Sequence, residues 1–498
     1  MISFIDRHRA VLALLSLGLA ARFLLAFVVF PISGYTGDLG LFWQWAQSLA
    51  ANGPGTFYAT TSSANYPPAY LYVLWGLGLV GNPALLKVPP MLADIAIAAM
   101  AYALATRWHG TRAGLIAAAL FLFLPVSWYD SALWGQVDAV GTAVALAALF
   151  LLIDGWSEAA LAAAALAVLV KPQYAITLVV VIPVLVRRHL IRVGSGPQPA
   201  LGPRLSRLDR ALGGLLSDRG PKRLVSSVML AAVVALLVIL PFDLSTYAPA
   251  SLADVPVMAQ VAGLVGLFGR LGSEFSVLTA NAFNPWALVG SPSLATVAGS
   301  GSGNWTADSL ALFAGLPAVV IGGAVLAAIG LFVAGGLLVR DGLMPILLAF
   351  TILALAFFAV PTRVHERYLF PFFATGAILA APALASIAGF VTLSILNTAN
   401  LHAVLTGSLH ASSGGAGGFG GGGLGGGRGQ AGFSGGGFGA GTFSSISLPF
   451  GDVAASQAVV TASAVGVGIT LLALLGVWTA VVVGARRAAV RTVAVPGI

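Results

Sequence analysis

Three short stretches gather carboxylates, cations and aromatic rings in a chain poor in charge: "GDLGLFWQWAQSL" with Asp38, "SWYDSALWGQVD" with Asp130, Trp134 and Asp138, and "PTRVHERY" with Arg363, His365, Glu366 and Arg367. Acids beside aromatic rings suit a sugar, because ring faces stack on the apolar faces of a pyranose while carboxylates accept its hydroxyl hydrogens. Asp38 could act as a general base on an acceptor hydroxyl. It could equally cap the helix that Leu39, Phe42, Trp43 and Ala46 predict by their spacing. Asp138 has the same two readings, as a sugar ligand or as the cap of a helix beginning at Ala139. Arg363, Arg367 and His365 could hold a phosphate through charge-assisted hydrogen bonds. The plainer reading has the arginines reaching toward the membrane surface, paired with Glu366. Lys171 opens "KPQYAITLVV" on the same predicted face. With no cysteine in the chain, thiol catalysis, disulfides and zinc-thiolate sites are excluded.

These residues need a scaffold, and the composition says which kind. Of 498 residues, 58% are hydrophobic and 8% charged, which excludes a water-soluble core and predicts an all-α polytopic membrane protein. Apolar runs at 10–31, 84–106, 113–128, 139–153, 157–170, 173–187, 224–241, 310–338, 343–360, 368–384, 386–405 and 456–483 predict about twelve spans. Interfacial helices are expected in the first external loop. The net charge of +8 resides at the ends of apolar runs, so it orients the chain and implies no nucleic acid. The basic loop 187–223 is predicted to be cytoplasmic, which also places "TRWHGTR", "ARRAAVR" and both termini inside and all three polar stretches outside. That topology requires "YPPAYLYVLWGLGLV", from Tyr66, to lie in the interface or dip in and return. Residues 1–405 then form the multi-span core, 408–447 a mobile external glycine-rich loop, and 456–498 a last span with a basic tail. Inside the apolar runs, Arg22, Lys87 and Asp94 either line a lipid-phosphate cavity or pair inside the bundle; Lys87 and Asp94 share one helix face.

"GDLGLFWQWAQSL" followed by "NYPPAYLYVLW" resembles the first luminal loop of the endoplasmic-reticulum glucosyltransferases that extend lipid-linked oligosaccharide. "RVHERYLFPF" resembles their His-Glu-Lys segment, and "TRAGLIAAALFLFLPVSWYDSALWGQVDAVG" is similar in layout to the region before the acidic second loop of oligosaccharyltransferase catalytic subunits. Together they resemble the C-type glycosyltransferase superfamily, of the glucosyltransferase or mannosyltransferase type. Asn65 stands where the family pattern has an acid, and Arg367 where it has Lys. The resemblance implies a cell-envelope enzyme that moves a hexose from a polyprenyl-phosphate donor to a glycan, lipid or protein acceptor, with inversion and with no metal or other cofactor required; the short N-terminus and compact loops fit a prokaryotic plasma membrane better than a eukaryotic organelle. It implies that Asp38 is the catalytic base. Asp138, Asp130, Trp134, Tyr66, His365, Glu366, Arg367, Arg363 and Lys171 are the expected substrate contacts. A transporter or flippase of a lipid-linked or phosphate-bearing solute is the competing class, and a catalytically silent scaffold of the same fold is a third.

Overall fold

The computed structural model describes residues 2–30, 38–211, 213–252, 255–289, 306–309, 311–406 and 449–493. The glycine-rich stretch 408–447, Gly37 and the end of the basic tail lie outside them. Among the described residues the protein is all-α apart from one small hairpin, and seven helices are long and apolar enough to cross a membrane: His8–Val29, Pro83–Phe123, Pro172–Ile191, Pro221–Ile239, Ala318–Val339, Leu384–Leu405 and Gln457–Gly484.

In chain order, α1 (Ile2–Leu24) is followed by α2 (Asp38–Asn52), the single turn α3 (Phe57–Thr60) and α4 (Pro68–Val80). Helix α2 buries Leu39, Phe42, Trp45, Ala46 and Leu49 against α4. The expected stripe is shifted, since Trp45 is wholly buried and donates Nε1 to Ser63 Oγ at 3.1 Å, while Trp43 is only half-buried. Helix α4 is a short apolar helix that packs on α2.

Helix α5 (Val88–Phe123) is two helices joined at His109 and Gly110, where Gly110 has φ +84°. This break falls within "TRWHGTR", as a loop between two spans requires. The second half ends at Phe123, short of the expected 128, because Pro125 starts a new turn, α6 (Pro125–Trp128), that runs into a π-helical segment, Tyr129–Trp134. Helices α7 (Asp138–Ile153), α8 (Ser157–Val170) and α9 (Ile176–Val186) follow. The loop carrying α10 (Pro203–Ala211) leads to α11 (Pro221–Ile239), which packs on α8. Helix α12 (Pro256–Ser273) lies in a region with no predicted element.

The span expected from residue 310 begins later. Ala311–Phe313 and Leu316–Pro317 form an antiparallel hairpin, and α13 (Ala318–Val339) starts only after Pro317. Helices α14 (Leu343–Ala359) and α15 (Phe370–Ala380) are buried on nearly every side. A helix walled by other helices has no polar face to solvate, which explains apolar runs without periodicity. Helix α16 (Leu384–Leu405), the turn α17 (Gly451–Ala454) and α18 (Gln457–Val493) complete the chain.

Intramembrane charges fix the first span. Arg22 donates to Asp94 Oδ2 at 2.7 Å, to Ser127 Oγ at 3.0 Å and to the carbonyls of Gly18 and Leu122 at 3.2 and 3.1 Å. Of the two alternatives for these charges, pairing inside the bundle holds for Arg22 and Asp94, whereas Lys87, expected on one face with Asp94, donates Nζ to the carbonyls of Phe30 and Ala26 at 2.9 and 3.3 Å. Helix spacing reveals which residues share a face, and a closer partner on another helix wins.

Candidate active site

Asp38 is the first residue of α2. Its Oδ2 accepts Trp134 Nε1 at 3.1 Å and a short hydrogen bond from Gln136 Nε2. Among the described residues its side-chain partners therefore come from the second polar stretch. Gly135, at φ +77°, ends the π-helical turn and aims these two side chains; a Cβ there would strike Leu39 Cδ2 at 2.7 Å.

Asp138 opens α7, but its carboxylate is bound across the bundle. Lys171 Nζ donates to Oδ1 and Oδ2 at 2.9 and 3.0 Å, and Gln173 Nε2 to Oδ1 at 2.9 Å. The main chain is held too, because Tyr174 OH donates to the Asp138 carbonyl at 2.6 Å. This approach depends on Gly141, where a Cβ would lie 2.1 Å from the Tyr174 ring.

The third stretch reaches the same place. Arg367 Nε lies 3.7 Å from Asp138 Oδ2, and Arg367 Nη1 donates to Glu366 Oε1 at 2.8 Å. The guanidinium stands over the Trp134 ring, 5.7 Å from its centroid. Lys171 Nζ lies 4.8 Å from the centroid of the Tyr368 ring and 5.9 Å from that of Tyr66, which packs edge-on against Phe42 at 5.6 Å. Asp130 is fully buried on the π-helical turn, within electrostatic reach of Asp138, Lys171 and Arg367.

Of the expected contacts, Arg363 stands apart and His365 does not. Arg363 has φ +68° and turns away to Asp308, with Nε 2.6 Å from Oδ2, and to the Gly272 carbonyl. His365 reaches the cluster as a neutral ring: burial, then Arg367 and Lys171, push its pKa well below 6.5. It stacks edge-on against Phe275 at 4.6 Å.

Burial pushes the carboxyls of Asp130 and Glu366 above their ordinary range, with Asp138 adding to the shift at Asp130 and Arg367 opposing it at Glu366. Burial opposes the charge on Arg367, but Glu366 and Asp38 outweigh it and the guanidinium stays charged. Both Asp130 oxygens, Gln136 Oε1, Gln173 Oε1, Glu366 Oε2 and Arg367 Nε are buried without a hydrogen-bond partner among the described residues. Each such atom costs about 1–3 kcal/mol when left unpaired. A cluster carrying several of them is built to receive polar atoms from outside the chain.

Sequence reasoning missed Gln136, Gln173 and Tyr368. All three sit within two residues of a predicted site residue, in stretches otherwise rich in apolar side chains.

Neither the protein-family models nor the curated proteins contain a match to the chain. Among solved structures, it is similar to ArnT from Cupriavidus metallidurans bound to undecaprenyl phosphate, at 15% identity and a TM-score of 0.43, over 81% of this chain and 65% of that one. It is also similar to the archaeal oligosaccharyltransferase AglB from Archaeoglobus fulgidus in complex with an inhibitory peptide and a dolichol-phosphate, at 16% identity and a TM-score of 0.40, over 79% of this chain and 51% of that one. The chain thus spans about two thirds and one half of their lengths. These similarities carry no statement about chemistry, which is argued from the site.

Proposed function

We propose that this integral membrane protein is a glycosyltransferase that takes a hexose from a polyprenyl-phosphate donor and transfers it, with inversion, to an acceptor hydroxyl at the outer face of a prokaryotic plasma membrane. The observation that carries this reading is the arrangement about Trp134, whose Nε1 holds the Asp38 carboxylate while its ring underlies the Arg367 guanidinium. A base at the N–H edge and a fixed cation over the ring thus share one indole, an aromatic group of the kind on which a sugar ring can stack.

In the proposed reaction, Asp38 takes the proton of the acceptor hydroxyl as its oxygen bonds to the anomeric carbon. The bond from that carbon to the phosphate oxygen breaks on the opposite side, and its electron pair leaves with the polyprenyl phosphate. Arg367 and Lys171, already fixed by Glu366 and Asp138, meet the developing phosphate charge. Preorganised cations in a site shielded from water need no reorganisation as that charge appears. Asp138 orients Lys171, and Asp130, Gln136 and Tyr66 supply sugar-facing groups. The acceptor is a glycan, lipid or protein hydroxyl.

The test is transfer from synthetic polyprenyl-phosphate glucose and mannose in liposomes with a mixed acceptor extract, comparing the native chain with Asp38→Asn. Transfer that is lost in the variant while donor binding persists supports the base assignment. Equal transfer by both proteins overturns it. Movement of the donor across the bilayer without transfer by either would favour a flippase.

A further inference from the structure

The loop between α9 and α11 lies at the opposite end of the bundle from the candidate site. Lys171 precedes the apolar stretch Pro172–Ile191, which at 1.5 Å per residue is long enough to cross the hydrocarbon core, and the loop starts where that stretch ends. Within it, α10 has two distinct sides. Leu205 and Leu208, adjacent on the helix, are 39% and 49% exposed. Arg204, Arg207 and Arg210 recur every third residue and are exposed as well. The single acid of the helix does not neutralise them. Asp209 is buried, and its Oδ1 accepts the Leu216 backbone N–H at 2.6 Å.

Orientation by positive charge accounts for arginines in this loop, but it does not require a helix or exposed leucines. At the end of the span, Leu190, Ile191 and Val193 also present apolar side chains, at 48%, 57% and 58% exposure, beside the exposed Arg192. Apolar side chains with a flanking arginine row are what a helix lying in a headgroup layer needs: the leucines enter the acyl boundary and the guanidinium groups stay with phosphate.

We propose that α10 docks on the leaflet opposite the candidate site by binding anionic phospholipid headgroups through Arg204, Arg207 and Arg210, with Leu205 and Leu208 inserted beneath them. The occupant is a negatively charged lipid surface, since three exposed arginines with their neighbouring acid turned inward have no charge complement of their own on this helix.

The absence of cysteine gives a clean experiment. An environment-sensitive fluorophore on Leu208→Cys is the only thiol label on the full chain in nanodiscs of phosphatidylcholine with or without phosphatidylglycerol. With the anionic lipid, the emission should shift to the blue and be quenched by lipid-borne quenchers, and added salt should reverse both changes. Adding Arg204→Gln, Arg207→Gln and Arg210→Gln to the labelled chain should weaken docking about a hundredfold, since each arginine at an anionic leaflet contributes about fivefold. Unchanged size-exclusion behaviour and melting temperature will show that this variant is folded. Two results overturn the proposal. A label equally open to aqueous iodide with and without anionic lipid means a solvated loop. Lipid quenching that ignores lipid charge, salt and the arginines means apolar insertion without headgroup recognition.

Discussion

Two buried clusters of charge stand close together in this protein, and they are finished differently. Around Arg22, donors reach Asp94, Ser127 and two carbonyls, and Ser131 adds a 2.5 Å bond to Asp94 Oδ2, leaving Asp94 Oδ1 as the acid's one unmatched oxygen. Around Asp138, Lys171 and Arg367, the charges are also paired, but six neighbouring polar atoms are left without partners. A nearly closed network fastens α1 to α5, while the open one has capacity left for a ligand. The presence of a buried charge therefore says little; how completely its bonds are satisfied separates a fastening from a site.

The sharpest test exchanges one atom at the open cluster. Asp38→Asn should keep the fold and lower transfer by about 10²–10⁴-fold, the contribution of a positioned general base, read as single-turnover rate beside melting temperature. At the fastening the effect should be the reverse in kind. Arg22→Met leaves Asp94 without its cation and should cost about 3–5 kcal/mol of stability; combining it with Asp94→Leu should recover much of the loss. Full stability in the single variant would show that the first span needs no such pin. Gly141→Ala tests whether packing sets the open cluster. Its methyl would meet the Tyr174 ring, which should cost about 1–3 kcal/mol and slow transfer through the displaced Asp138.

Smaller effects sharpen the boundary of the site. Arg363→Gln should leave transfer within about twofold, although it takes the cation from the buried Asp308, which keeps Thr362 as a donor, and should cost about 1–3 kcal/mol of stability; a collapse of transfer would return Arg363 to the substrate contacts. His365 is held neutral, with a folded pKa below its unfolded value. As pH falls below about 6.5 the unfolded chain takes up a proton that the folded one refuses, so stability should fall until the folded pKa is passed. His365→Phe, which retains ring packing on Phe275, should reduce that acid slope. The raised carboxyls of Asp130 and Glu366 act in the opposite direction, losing stability as pH rises through the window above their unfolded values, and their slopes cancel in the comparison of the two proteins.

Much of this was legible because lipid imposes coarse rules. Long apolar runs cross, and polar residues that interrupt their ends gather on one face; Asp38, Asp138, Lys171 and Arg367 were found that way. Apolar composition alone could not show that "ALFAGLP" turns back on itself, because Ala314 and Gly315 take positive φ at 51° and 75° and form a hairpin inside the run. Nor could it place Arg363, whose backbone turn sends the side chain to Asp308, a partner from a region with no sequence signal. Gln136 escaped because an amide has no charge to stand out, although the bond it makes to Asp38 depends on the turn at Gly135. Lys87 and Asp94 show the same limit, since one helix cannot reveal what the next one offers.

The site draws its parts from distant points of the chain, and this bears on biosynthesis. Asp38, Trp134, Asp138 and Lys171 emerge from the ribosome before Arg367. A nascent chain that has inserted α7 and α9 can already close the Lys171 contact to Asp138, so its buried carboxylate need not wait unprotected in the bilayer. The guanidinium arrives last, with the stretch before α15, and only then do base and cation meet at the same indole. Incomplete translation products therefore carry the fastening and the acid, but lack the full pair of groups proposed to act on a donor lipid.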